Sequence, residues 1–120
     1  MKAVLLLAHG SREGETEKTM QQITAMVRKD LGMENVEEAY LQFRDKNLEK
    51  GLDSLVAKGA KEIIVIPYFL FSGIHIQEDI PKELNTYIEK HPGIKISFGK
   101  TLGSDERLAK ILADRVREML

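Results

Sequence analysis

The sequence predicts an α/β fold: a four-stranded parallel sheet in the order 2-1-3-4 with helices on both faces. Three observations predict it. Strand-like and helix-like segments alternate along the 120 residues, the pattern of βα units that build a parallel sheet. Two strand segments, residues 3–8 (AVLLLA) and 63–71 (IIVIPYFLF), are nearly unbroken apolar runs, as expected of central strands covered on both faces. The other two, residues 36–43 (VEEAYLQF) and 94–98 (IKISF), mix polar with apolar residues and suit the edges.

The helices follow from apolar residues at helical spacing. Met20, Ile23, Val27 and Leu31 form the first stripe, stopped by Gly32. Leu48, Leu52, Leu55 and Val56 form the second, stopped by Gly59. Ile80, Leu84, Tyr87 and Ile88 form the third, with Pro81 in its first turn and His91-Pro92-Gly93 at its end. Leu108, Ile111, Leu112, Val116 and Met119 form the last, capped by Ser104 or Asp105. Most methionines and aromatics fall on these stripes or strands, which assigns them to core packing. No linker, repeat or low-complexity segment interrupts the series, so residues 1–120 read as one domain.

Composition narrows the function. With 42% hydrophobic and 31% charged residues the chain can build its own core. It contains no cysteine, which removes disulfides, thiolate metal sites and Cys nucleophiles. A net charge of −1 gives no global attraction to nucleic acid or an anionic membrane. The apolar runs are too short to span a bilayer, and no secretory leader is recognisable at the start, so a cytoplasmic location is expected.

Right-handed crossovers place the first helix on one face of such a sheet and the next two on the other. The winding reverses between strands 1 and 3, and ligands bind at that reversal, outside the carboxyl ends of the strands. The loop after strand 1 reads His9-Gly10-Ser11-Arg12; the loop after strand 3 reads Ser72-Gly73-Ile74-His75-Ile76-Gln77-Glu78-Asp79. Two of the three histidines therefore face one crevice. Imidazole ligates cobalt, nickel, iron or zinc and also accepts protons near neutral pH. One histidine at a strand end is usually structural; two converging on a crevice favour function. Glu78 is either solvated or a third participant. Asp79 is either a carboxylate of the site or a cap of the third helix. Arg12 is either a surface cation or an anion clamp. His91, at the end of the third helix, has a structural reading.

Other chemistries lack their motifs. There is no GxxxxGK[ST] loop, no GxGxxG after strand 1 and no GxSxG elbow. Ala8 precedes His9 where a histidine phosphatase carries arginine, and the acidic cluster of a phosphoacceptor receiver is absent.

Residues 5–12 (LLLAHGSR) and 65–81 (VIPYFLFSGIHIQEDIP) resemble the two signature segments of the small single-domain sirohydrochlorin chelatases, cobalt and nickel enzymes of tetrapyrrole biosynthesis. The Gly-x-His-x-x-x-Asp-Ile-Pro pattern of the second is the more specific. The resemblance implies a three-layer chelatase or flavodoxin-like sandwich and ATP-independent insertion of a divalent metal into sirohydrochlorin. Cobalt comes first as the metal substrate, with nickel or iron possible and no tightly bound cofactor. It implies His9 and His75 as metal-binding and catalytic residues. Larger relatives fuse two copies of the domain, which implies a homodimer here. Some relatives carry a glutamate where Leu41-Gln42 stands; Gln42 is no base, so Glu78 is the substitute candidate. Gly10, Ser11, Arg12, Gln42, Arg44, Ser72, Gly73 and Ile74 are the expected substrate contacts, with Arg12, Arg44 and Lys46 pairing the tetrapyrrole carboxylates. A non-catalytic metal or tetrapyrrole carrier, and an interaction module with incidental histidines, are the alternatives. Turnover separates the first and metal affinity the second.

Overall fold

The computed structural model describes every residue from 1 to 120 except Phe43, and the backbone alone at His75 and Ile76. Its elements are β1 (Lys2–Ala8), α1 (Gly14–Leu31), β2 (Val36–Tyr40), α2 (Leu48–Ala57), β3 (Glu62–Pro67), a π turn (His75–Asp79), α3 (Ile80–Lys90), β4 (Lys95–Phe98) and α4 (Glu106–Met119). The sheet order is β2-β1-β3-β4 and every pairing is parallel. The expected topology holds, and the described residues carry the four expected α-helices.

Side-chain alternation divides the core in two. Ala3, Leu5 and Leu7 of β1 and Ile63 and Val65 of β3 face α2 and α3, meeting Leu48, Leu52, Leu55, Leu84 and Tyr87. Val4, Leu6 and Ala8 face α1, meeting Met20, Val36 and Tyr40. Gly51 lets α2 approach the sheet closely: a Cβ there would lie 2.9 Å from Ala39 Cβ and 3.0 Å from Leu5 Cδ1. Local signals end the helices where the sequence marks them. Gly32, at φ 66°, closes α1, and the Asp105 side chain accepts from the Arg107 amide to start α4.

Two strands are shorter than their apolar runs. β3 stops at Pro67 instead of residue 71, because β1 ends at Ala8 and offers no ladder to pair with. β2 stops at Tyr40; two further amides, Leu41 and Gln42, still donate to the Ala8 and His9 carbonyls, and Phe43 lies outside the described residues. Two of the aromatic residues released from β3 are a correction to their core assignment, Tyr68 at 40% and Phe71 at 81% exposed, while Phe69 packs against the core. α4 is a second correction, since none of its residues is buried. Among the described residues no helix is long and apolar enough to cross a membrane.

Candidate active site

The chain segments that outrun the sheet form the site. His9 is the first residue past β1, exposed to solvent. Its ring meets the Phe69 ring edge-on, with centroids 4.4 Å apart at 71°. Its carbonyl accepts from the Gln42 amide at 3.0 Å. The next residue, Gly10, adopts φ +86°, and a Cβ there would stand 2.1 Å from the Gln42 carbonyl oxygen. Only glycine fits this turn, and the turn aims His9 outward.

A polar scaffold holds the loop. Ser11 Oγ donates to the Glu13 carbonyl at 2.9 Å and shares a 2.6 Å hydrogen bond with Thr16 Oγ1. Arg44 reaches across from beyond β2: Nε donates to the Ser11 carbonyl at 3.0 Å, Nη2 to the Arg12 carbonyl at 2.8 Å, and Nη1 to Glu17 Oε2 at 3.1 Å. Nearby, burial and the Glu38 and Glu17 carboxylates push the Tyr40 phenol up to about 12, so it stays protonated and donates toward the Glu17 carbonyl.

Two hollows meet at His9. One, of ≈ 450 Å³, is walled by Leu41, Tyr68, Phe69, Phe71 and Ile74. The other, of ≈ 350 Å³, lies against Gly10, Thr16, Thr19 and Tyr68 at the start of α1. Phe71 and Ile74 stand 81% and 70% exposed on the rim. An imidazole at the junction of an apolar, aromatic-walled cleft can ligate a metal or accept a proton beside a large apolar ligand.

The other expected site residues divide. Gly73 and Ile74 line the first hollow and Gly10 the second. Gln42 contributes its backbone, and its side chain is exposed. Ser72 accepts from Gln77 Nε2 at 3.4 Å. Glu78 is exposed on the π turn and lines neither hollow. The His75 side chain lies outside the described residues; its backbone opens the π turn, a deformation that recurs at functional sites. Among the described residues no three His, Cys, Asp or Glu side chains converge as metal ligands.

Several expectations are corrected. Arg44 is a clamp on the His9 loop, not a free cation for substrate. Lys46 is drawn away to the buried Glu37, which Lys58 also pairs at 2.7 Å. Asp79 does not cap α3: the π turn runs into the helix without a break, leaving Asp79 at helical φ −67° and ψ −47° with no capping bond. His91 has the structural place expected, stacked on Tyr87 at 4.0 Å with Nδ1 2.9 Å from the Tyr87 carbonyl. The aromatic wall was missed because an apolar run reads as strand. Its signal was length: nine residues exceed the usual five or six of a strand.

The model of the CbiX family matches residues 3–119. The chain belongs to the CbiX family. Its CbiX relatives come in two sizes. It is 35% identical to the sirohydrochlorin cobaltochelatase of Sulfurisphaera tokodaii, covering 100% of this chain and 95% of that protein. It is 30% identical to the sirohydrochlorin ferrochelatase of Priestia megaterium, covering 98% of this chain and 44% of that protein. Among solved structures it resembles the sirohydrochlorin chelatase SirB of Bacillus subtilis subspecies spizizenii, in complex with cobalt. The TM-score is 0.89 and the identity 28%, over 98% of this chain and 50% of that one. The chain thus spans nearly all of the shorter relative and about half the length of the longer ones.

Proposed function

We propose that this chain is a sirohydrochlorin chelatase that inserts a divalent metal, cobalt foremost and nickel or iron as alternatives, into the macrocycle without ATP. The observation that carries the reading is His9, held outward by the Gly10 turn at the mouth of an aromatic-walled cleft. The relatives' names agree in substrate class. The macrocycle lies against Tyr68, Phe69, Phe71 and Ile74, which exclude water from its faces. Its carboxylates stay at the rim, where Arg12, Ser11 and free amides at the start of α1 are within the same loop. Neutral His9 and His75 bind the incoming metal through ring nitrogens and release it to the pyrrole nitrogens. The two displaced pyrrole protons pass to a histidine, Glu78 or water. Two units act together as a homodimer, the counterpart of the double-length relatives, in the cytoplasm.

The test is absorbance-monitored insertion with purified protein, sirohydrochlorin and each of Co²⁺, Ni²⁺ and Fe²⁺. Repeated turnover is expected; stoichiometric binding without turnover would make the chain a carrier. His9→Ala and His75→Ala should each reduce insertion by at least about 100-fold, a size typical of lost acid–base or ligand groups. The double variant should be little worse than either single one, because both act on one ion. His91→Ala should leave insertion unchanged. Full activity in either single variant removes that histidine from the reaction.

A further inference from the structure

Inserting an ion into a large macrocycle poses a problem of access. A macrocycle seated against His9 covers the histidine from its own side, so the ion needs another way in. The two hollows at His9 differ in chemistry. The one of ≈ 450 Å³ is lined by Leu41, Phe69, Leu70, Phe71 and Ile74 and, among the described residues, by no carboxylate. The one of ≈ 350 Å³ is lined by Glu15, Thr16 and Thr19 of α1. His9 and Tyr68 belong to both.

Glu15 is the acidic side chain in reach of the histidine. Among the described residues that line either hollow it is the one carboxylate, whereas Glu78 lines neither. Thr19 stands one helical turn further along the same face of α1. The next acid on the helix, Glu17, is held by Arg44 at 3.1 Å. No hydrogen bond or ion pair among the described residues engages the Glu15 carboxylate. An acid in a first helical turn also favours the helix dipole, but that role bears on stability and leaves the metal dependence of a rate untouched.

The donors fall in the order a transfer needs. Carboxylate and hydroxyl oxygens hold cobalt or nickel less well than imidazole does, so an ion that stops at Glu15 moves on to His9. A hydrated divalent ion, with its inner waters at about 2.1 Å, is about 7 Å across and fits the ≈ 350 Å³ hollow.

Resting on the chelatase reading above, we propose that Glu15 captures the divalent metal in the second hollow and passes it to His9 while the macrocycle occupies the first. The transfer is ligand exchange without redox change. The bond from Glu15 carboxylate oxygen to metal, with bound water, gives way to the bond from His9 ring nitrogen. The histidine bonds then break as the pyrrole nitrogens take the ion. Two N–H protons leave the macrocycle for each M²⁺ gained, so charge balances. One goes to the His9 nitrogen that the metal has vacated and the other to solvent.

The experiment uses the full chain, Co²⁺ and sirohydrochlorin, with Glu15→Gln, Glu15→Asp and the charge-matched control Glu34→Gln. Glu34 is exposed between α1 and β2, at the opposite end of the sheet. Initial rates are taken across Co²⁺ concentrations at saturating macrocycle, and across macrocycle concentrations at saturating Co²⁺. Glu15→Gln should raise the KM for Co²⁺ at least about tenfold, the scale of losses around metal sites. Its KM for sirohydrochlorin should not change, and its kcat should recover at saturating Co²⁺. Glu15→Asp, which keeps the carboxylate, should restore most of the metal dependence, and Glu34→Gln should match wild type. A wild type that inserts no metal overturns the chelatase reading and this role with it. If wild type inserts metal and Glu15→Gln keeps its KM for Co²⁺, or Glu34→Gln shows an equal rise, the role of Glu15 alone is overturned.

Discussion

At the scale of single residues the site depends on one backbone conformation. Gly10 takes φ +86° with the Gln42 carbonyl where its Cβ would be, and the same Gln42 holds His9 through its amide. Gly10→Ala therefore adds left-handed strain of roughly 1–2 kcal/mol to a clash only backbone movement relieves. We expect a loss of about 2–4 kcal/mol in chemical denaturation and at least a tenfold fall in insertion as His9 is displaced. Gly14→Ala is the control: it meets nothing within 4 Å at the start of α1 and should be neutral or stabilising by up to about 1 kcal/mol. If the two variants behave alike, the Gly10 turn is not what positions His9. His9, Gly10 and the loop carrying His75 were legible in the sequence because strand ends at a winding reversal have a fixed address. Arg44 was not. Its partners are backbone carbonyls 32 and 33 positions away, and no spacing rule distinguishes a clamp from a free cation.

At the scale of elements, β2 and α2 are joined by one buried carboxylate. Glu37 lies on β2 between Lys46, Lys58 and Ser54. Burial pushes its carboxyl up, but hydrogen bonds from Lys46 and Lys58 outweigh that and bring it down from 4.5 to about 2. A carboxyl depressed in the fold binds protons more readily when unfolded. Its stabilisation is therefore complete above about pH 4.5 and lost as pH falls toward about 2. With both lysines partly in solvent, the contribution is about 2 kcal/mol rather than the full shift. Thermal melts of wild type and Glu37→Gln should differ most near neutrality and converge as pH falls through that window. A constant difference down to pH of about 2 would deny Glu37 the role. Periodicity identified β2 as a mixed strand but could not say which face its acidic residue takes. The ends of β2 and β3 were overextended for a related reason: an apolar run records burial by anything, sheet partner or ligand cleft alike.

At the scale of the whole molecule, all four helices could be read from the sequence, yet the stripe on α4 looks the same whether it covers its own sheet or another's. Periodicity reports that a face is apolar and leaves its partner unnamed. The order β2-β1-β3-β4 could be derived because the two unbroken apolar runs belong at the centre and the two mixed strands at the edges; no such rule constrains the last helix, which follows the last strand. The homodimer proposed above makes stability depend on association. With α4 unpacked, the Ile64–Ile66 surface and the Leu112–Val116 stripe both face solvent, so an isolated chain lacks part of one core layer. Partner binding stabilises the native state by mass action, by RT ln of the ratio of partner concentration to dissociation constant once that ratio is large. Raising the chain concentration 100-fold above that constant adds about 2.7 kcal/mol, worth roughly 5–15 °C in a domain of about this size. The melting temperature of the wild type should therefore climb with concentration, and that of L112D/V116D should stay level. A wild-type melting temperature independent of concentration from nanomolar to high micromolar would mean that each chain completes its own core.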